Sequence, residues 1–235
     1  SDQESFVVSN EIRVKWHVIG NTDNQIAIDA MILAYYLDEL NTAFNPINIQ
    51  FIADPVVHLI VDDDLWNSVG STHDLRQMSS LPGAMNVYWA PQLQNGSLCG
   101  TSSFSFQFTQ GIVMQTSCMG YTDVANVFIH EVGHYFDLFH THEFECPEGN
   151  DTPVCVESYY DVGNNVINYM SYVPVPCMSL FTTGQENRAF ATHINLRRDH
   201  HDPVLPQCVG DLNGDGEIDS GDLGLILSSW QEVHG

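Results

Sequence analysis

The segment HEVGHYFDLFHTH, residues 130–142, constrains this chain more than any other stretch. His130 and His134 stand one helical turn apart, so both imidazoles share a face and can reach one ion. Glu131 follows the first imidazole and sets a carboxylate beside that ion, where it can take a proton from metal-bound water. A third ligand is needed, and His140 is the candidate. Six residues beyond His134 a continuing helix would have turned by about 240° and risen by about 9 Å, out of reach of the ion. The helix must therefore break near residue 137, at a residue that tolerates positive φ. Asp137 holds that place; aspartate enters the left-handed region more readily than most residues, though less readily than glycine. This makes His130, His134 and His140 the expected zinc ligands, Glu131 the expected general base and Asp137 the helix-ending turn. A glutamate from a later helix, with His140 structural, is the competing assignment. His142 is expected to be exposed.

The elements around this segment follow from hydrophobic periodicity. Ile12, Val14, Trp16 and Val18 alternate with Arg13, Lys15 and His17, the period of a half-buried strand. Thr22 to Gln25 has capping-box spacing and predicts a helix through about Asn41. Ile47, Ile49 and Phe51 alternate again, and short strands fit Val57–Val61, Met85–Trp89 and Ile112–Thr116. A helix from Val124 to about Tyr135 is predicted behind a Thr122 or Asp123 cap, and another from a Thr183–Glu186 capping box to Arg197. Residues 142–176 read as mostly irregular. The sum is an α+β arrangement.

Six cysteines stand singly at 99, 118, 146, 155, 177 and 208. None forms a C-x-x-C pair, which argues against a cysteine zinc site and for a disulfide-bearing, exported protein; six buried thiols are the alternative. Cys99–Cys118 would clasp the strand around Ile112. Thirty acidic residues face six basic ones, a formal charge of −24, which excludes binding to nucleic-acid backbones or anionic membranes. No stretch is long and apolar enough to span a membrane. The first ten residues lack the basic and apolar regions of a signal peptide, so Ser1 is expected to lie near a processed or trimmed start.

The composition breaks at Asp202–Val209, and beyond it stands GDLNGDGEIDSGDLGLILSSW. Asp211, Asn213, Asp215, Asp219 and Asp222 occupy loop positions 1, 3, 5, 9 and 12 around the turn-forming Gly216. Glu217 at position 7 offers its carbonyl, completing the oxygen set calcium requires. Two units are therefore expected, residues 1–208 and 209–235.

HEVGHYFDLFH resembles the metzincin signature H-E-x-x-H-x-x-G-x-x-H, most closely that of the pappalysin branch. NYMSY at 168–172 resembles the family's Met-turn, CMSLFTTGQENRA at 177–189 the segment after it, and NDTP at 150–153 a stretch that pappalysins carry before it. The resemblance covers most of residues 11–198. It implies an upper subdomain with a twisted mixed sheet and long helices, an irregular lower subdomain, and a cleft between them for an extended peptide. It makes Met170 the Met-turn residue, an apolar floor beneath the zinc, and Tyr172 a hydroxyl that stabilises the oxyanion. It also implies that Cys177 is tied back to Cys146 or Cys155. Asp137 departs from the family glycine, and residues 171–185 contain no acid, so the branch's preference for a basic residue after the cleaved bond is not carried over. The tail resembles a single dockerin repeat; dockerins bind cohesins through two, so a cohesin-like or cell-surface partner is an open expectation. The function implied is that of a secreted zinc endopeptidase, with a non-catalytic metal-bound adhesion module and a gluzincin-like peptidase as rivals.

Overall fold

The computed structural model describes residues 10–78, 80–118, 120–141, 167–172 and 174–197. The calcium-type loop with Asp211, Asn213, Asp215, Glu217, Asp219 and Asp222 lies outside these residues. So do the boundary near Cys208, the NDTP segment, His142, Cys146 and Cys155.

Strand β1 (Glu11–Gly20) is the axis of the sheet. Its alternation sends Ile12, Val14, Trp16 and Val18 into one core, while Ile19 faces a second core on the other side. It pairs in parallel with β2 (Gln50–Ala53) along Glu11–Val14, with β3 (His58–Val61) along His17–Gly20, and with β4 (Met85–Ala90) on its other edge. Beyond β4 lies β6 (Ile112–Gln115), also parallel, and then the three-residue β5 (Gly100–Ser102), antiparallel at the edge. All six residues of β4 are buried, because both faces of the sheet are covered there.

The helix after residue 22 forms as α1 (Ala30–Phe44), but its cap is Asp29, whose carboxylate accepts from the Met31 and Ile32 amides. Residues 21–25 are spent on a turn that carries the chain off β1, with Asn21 N donating to Gln25 O at 3.1 Å; Thr22 donates instead to Asp63. Two short helices that the periodicity did not suggest, α2 (Asp63–Asn67) and α3 (Thr72–Met78), cover the second core. Helix α4 (Tyr121–Tyr135) begins at Gly120, with no side-chain cap from Thr122 or Asp123. Helix α5 (Thr183–Leu196) has its capping box one residue earlier than the spacing suggested, between Thr182 and Gln185. The first core is tied by aromatics: Trp89 of β4 stacks on Tyr36 of α1 at 5.0 Å and meets Phe128 of α4 at 5.5 Å. Cys99 and Cys118 form a disulfide that closes the segment carrying β5 and β6.

Candidate metal centre

Helix α4 buries Val124, Phe128 and Val132 against the sheet and carries His130 and His134 on a neighbouring face. Each imidazole is fixed through its Nδ1: His130 against Tyr169 O at 2.6 Å and His134 against Leu138 O at 2.7 Å. A carbonyl can only accept, so each Nδ1 carries the proton and each Nε2 presents a lone pair.

The helix ends in a Schellman motif. Leu138 N donates to Gly133 O and Asp137 N to His134 O, with Asp137 in the left-handed region at φ 62°. An aspartate stands where glycine is usual because its carboxylate is used. Oδ1 accepts from Ser105 N at 2.8 Å, and Oδ2 accepts from Ser105 Oγ at 2.6 Å and from Thr192 Oγ1 at 3.4 Å. Arg188 Nε donates to the Asp137 carbonyl at 2.7 Å, joining α5 to the turn. The reversal brings His140 back so that its Nε2 lies 3.2 Å from that of His130 and 2.9 Å from that of His134. Two lone pairs thus converge on a nitrogen able to donate one proton at most, an arrangement that a cation relieves. Ligands about 2.0–2.1 Å from a tetrahedral zinc are roughly 3.3 Å apart, close to these spacings. Among the described residues these three histidines form the group able to hold a metal, and no glutamate joins them. Burial, with His130 and His140 adding to it, holds the His134 imidazole well below its ordinary value, so it stays neutral.

Glu131 is 7% exposed and sits under β5, where its Oε1 lies 3.2 Å, and its Cγ 2.9 Å, from the position a Cβ on Gly100 would take. Burial pushes its carboxyl up to about 8, against a downward pull from the Arg76 guanidinium. A carboxylate whose charged form is costly is a ready proton acceptor.

Met170 is fully buried at the foot of α4, in a turn where its amide donates to Asn168 Oδ1 at 2.8 Å and its carbonyl accepts from Thr141 N at 3.0 Å. Asn168 is held in turn by a reciprocal amide pair with Gln185, the partner of Thr182 in the α5 capping box. Tyr172, 73% exposed, places its ring 4.5 Å from that of His140 and 6.2 Å from that of His130. Sequence reasoning missed two glycines that shape the site. A Cβ on Gly133 would overlap the Met170 sulfur, and one on Gly100 would meet Glu131. The available signal for Gly133 is its position inside a helix, where glycine costs about 1 kcal/mol relative to alanine and so points to a packing reason.

No family model matches the chain. An extracellular metalloprotease of Colletotrichum graminicola is 29% identical over 210 residues, covering 75% of this chain and 74% of that protein. A second, from Verticillium alfalfae, is 25% identical over 190 residues, covering 68% of each. Among solved structures, mirolysin in complex with compound 9 superposes with a TM-score of 0.62 at 21% identity, over 81% of this chain and 95% of that one. The chain shares mirolysin's fold. The relatives, together with the three-histidine cluster, support a zinc-dependent peptidase. Among the described residues no helix is long and apolar enough to cross a membrane.

Proposed function

We propose that the chain is a secreted zinc endopeptidase of metzincin type, most similar to the pappalysin branch, that hydrolyses internal bonds of an extended peptide. The observation that carries this reading is the convergence of the His130, His134 and His140 Nε2 atoms, with the buried Glu131 next to His130 on the same helix. His130, His134 and His140 would hold a zinc ion, which would supply a Lewis acid and a water acidified towards a pKa of about 7. Glu131 would accept a proton from the attacking water and pass it to the leaving amine. Tyr172, its ring beside His140, offers a hydroxyl to the developing oxyanion. Met170 closes the floor without offering a competing polar ligand. Export accords with the Cys99–Cys118 disulfide and with relatives named extracellular. The tail, with Asp211 to Asp222 as a calcium loop and a tether, completes the proposal on sequence grounds alone.

The test is hydrolysis of casein or gelatin by wild type and Glu131→Ala at equal zinc content. Loss of cleavage in Glu131→Ala with zinc retained is expected; equal activity would eliminate the assigned base. His140→Ala should lose zinc on dialysis, and retention would favour a glutamate as third ligand. Zinc without any cleavage by wild type would favour an adhesion module.

A further inference from the structure

Loop 103–110, between β5 and β6, presents three phenylalanines in five residues, 104–108, of a strongly acidic chain. Phe106 is 72% exposed and Phe108 fully so. Phe106 is not loose: its ring stacks on Phe104 at 5.4 Å and 13°, and Phe104 stacks on Phe139 at 5.3 Å and 24°. Arg188 closes the far end of this column, 5.1 Å over Phe139. Phe104 also lies 5.4 Å from the His134 ring, so the column runs beside the imidazoles assigned to the metal.

The backbone beneath is held by buried polar groups. Both bonds from Ser105 to Asp137 fix the residue between Phe104 and Phe106. Arg197, almost wholly buried, donates to Gln110 Oε1 at 2.6 Å and to Ser103 O at 3.0 Å, and Gln110 Nε2 donates to Phe104 O at 3.2 Å. Holding a large apolar face rigidly towards water gains nothing for the fold, since folding favours its burial.

We propose that Phe104, Phe106 and Phe139 form an apolar shelf that receives an aromatic or large aliphatic side chain of the bound peptide. The inference rests on the peptidase reading and adds to it a determinant of specificity. The 5.4 Å from Phe104 to His134 places the received side chain within one or two residues of the cleaved bond, because an extended peptide advances about 3.3 Å per residue. Asp137, in place of glycine, is then a positioning residue twice over: its backbone turns His140 towards the metal, and its carboxylate presents the shelf.

The experiment maps cleavage of casein by the zinc-loaded protein by mass spectrometry. It then compares peptides that differ only by Phe or Ser at the positions flanking the bond. Wild type is expected to favour Phe at one of these positions by about tenfold in kcat/KM. Phe106→Ser, an exposed substitution that leaves the core intact, should reduce that preference to within about twofold, and Phe108→Ala, outside the column, should keep it. A flat profile in wild type, or an undiminished preference in Phe106→Ser, overturns the shelf. Fluorescence anisotropy on zinc-loaded Glu131→Ala separates the two readings, since the Phe peptide should bind about tenfold more tightly than the Ser peptide and Phe106→Ser should remove the difference. Discrimination in binding with no cleavage by wild type would sink the peptidase reading and keep the shelf. Cleavage without discrimination would do the reverse.

Discussion

Replacing Asp137 by glycine restores the residue usual at a helix end of this geometry, yet the structure predicts that the protein loses stability. The substitution removes two good hydrogen bonds to Ser105, at 2.8 and 2.6 Å, and a long one from Thr192. Bonds to a charged group contribute about 1.5–3 kcal/mol each, and the partial exposure of Ser105 argues for the lower figure, about 3 kcal/mol for the pair. Two smaller effects nearly cancel. Glycine relieves an aspartate at φ 62°, at most about 1 kcal/mol, but adds about 0.5–1 kcal/mol of chain entropy to the unfolded state. Asp137→Gly should therefore destabilise by about 3 kcal/mol, and Asp137→Ala by about the same, because alanine keeps the backbone penalty that aspartate already bears and loses the same bonds. For a chain of this size that is a fall in Tm of about 6–12 °C for the glycine variant. Calorimetry at saturating zinc reads it, with metal analysis beside it. The Leu138-to-Gly133 backbone bond survives the substitution, so zinc stoichiometry should not change. A glycine variant melting at or above wild type would refute the reasoning, since backbone strain would then outweigh the carboxylate's bonds.

Gly100→Ala should lower kcat by about 10- to 100-fold with zinc content unchanged. The new Cβ would stand 2.9 Å from Glu131 Cγ, and a shift of about 1 Å in a catalytic group has consequences on that order. Wild-type kcat with full metal would show that Glu131 is not held by this contact. A third prediction concerns acid stability. Burial, opposed by Asn86 and supported by His58 and Lys15, lowers the His17 imidazole from 6.5 to about 4. The unfolded chain then takes up the proton first, so the contribution is intact above pH 6.5 and is lost as pH falls towards 4, up to about 3 kcal/mol. Urea midpoints at pH 7 and 4.5 should differ less in His17→Gln than in wild type; an equal difference would locate the acid sensitivity elsewhere.

Patterns local in the chain were the legible ones. The alternation at Ile12–Val18 marks a strand, and the run from Val124 to Tyr135 marks a helix, because periodicity depends on neighbours only. The same neighbours misplace caps. Thr22 has capping spacing but is spent on a turn and on Asp63, while Asp29, a few residues on, caps α1. The three-residue β5 is too short to show a period, and its place at the sheet edge is set by pairing with β6 and by the disulfide.

Residue spacing alone requires that two imidazoles share a helical face, that a carboxylate follows the first, and that the chain turns near residue 137 for a third to return. These are consequences of a fixed rotation per residue. What surrounds them is set by packing between distant segments: Met170 against Gly133, Glu131 against Gly100, Tyr172 beside His140, and Ser105 bonded to Asp137. The last three of these join residues about thirty apart in the chain, as Met170 and Gly133 nearly are, and no local period encodes such a meeting. It is fixed when the sheet, α4 and α5 pack together and each buried polar group must find its partner.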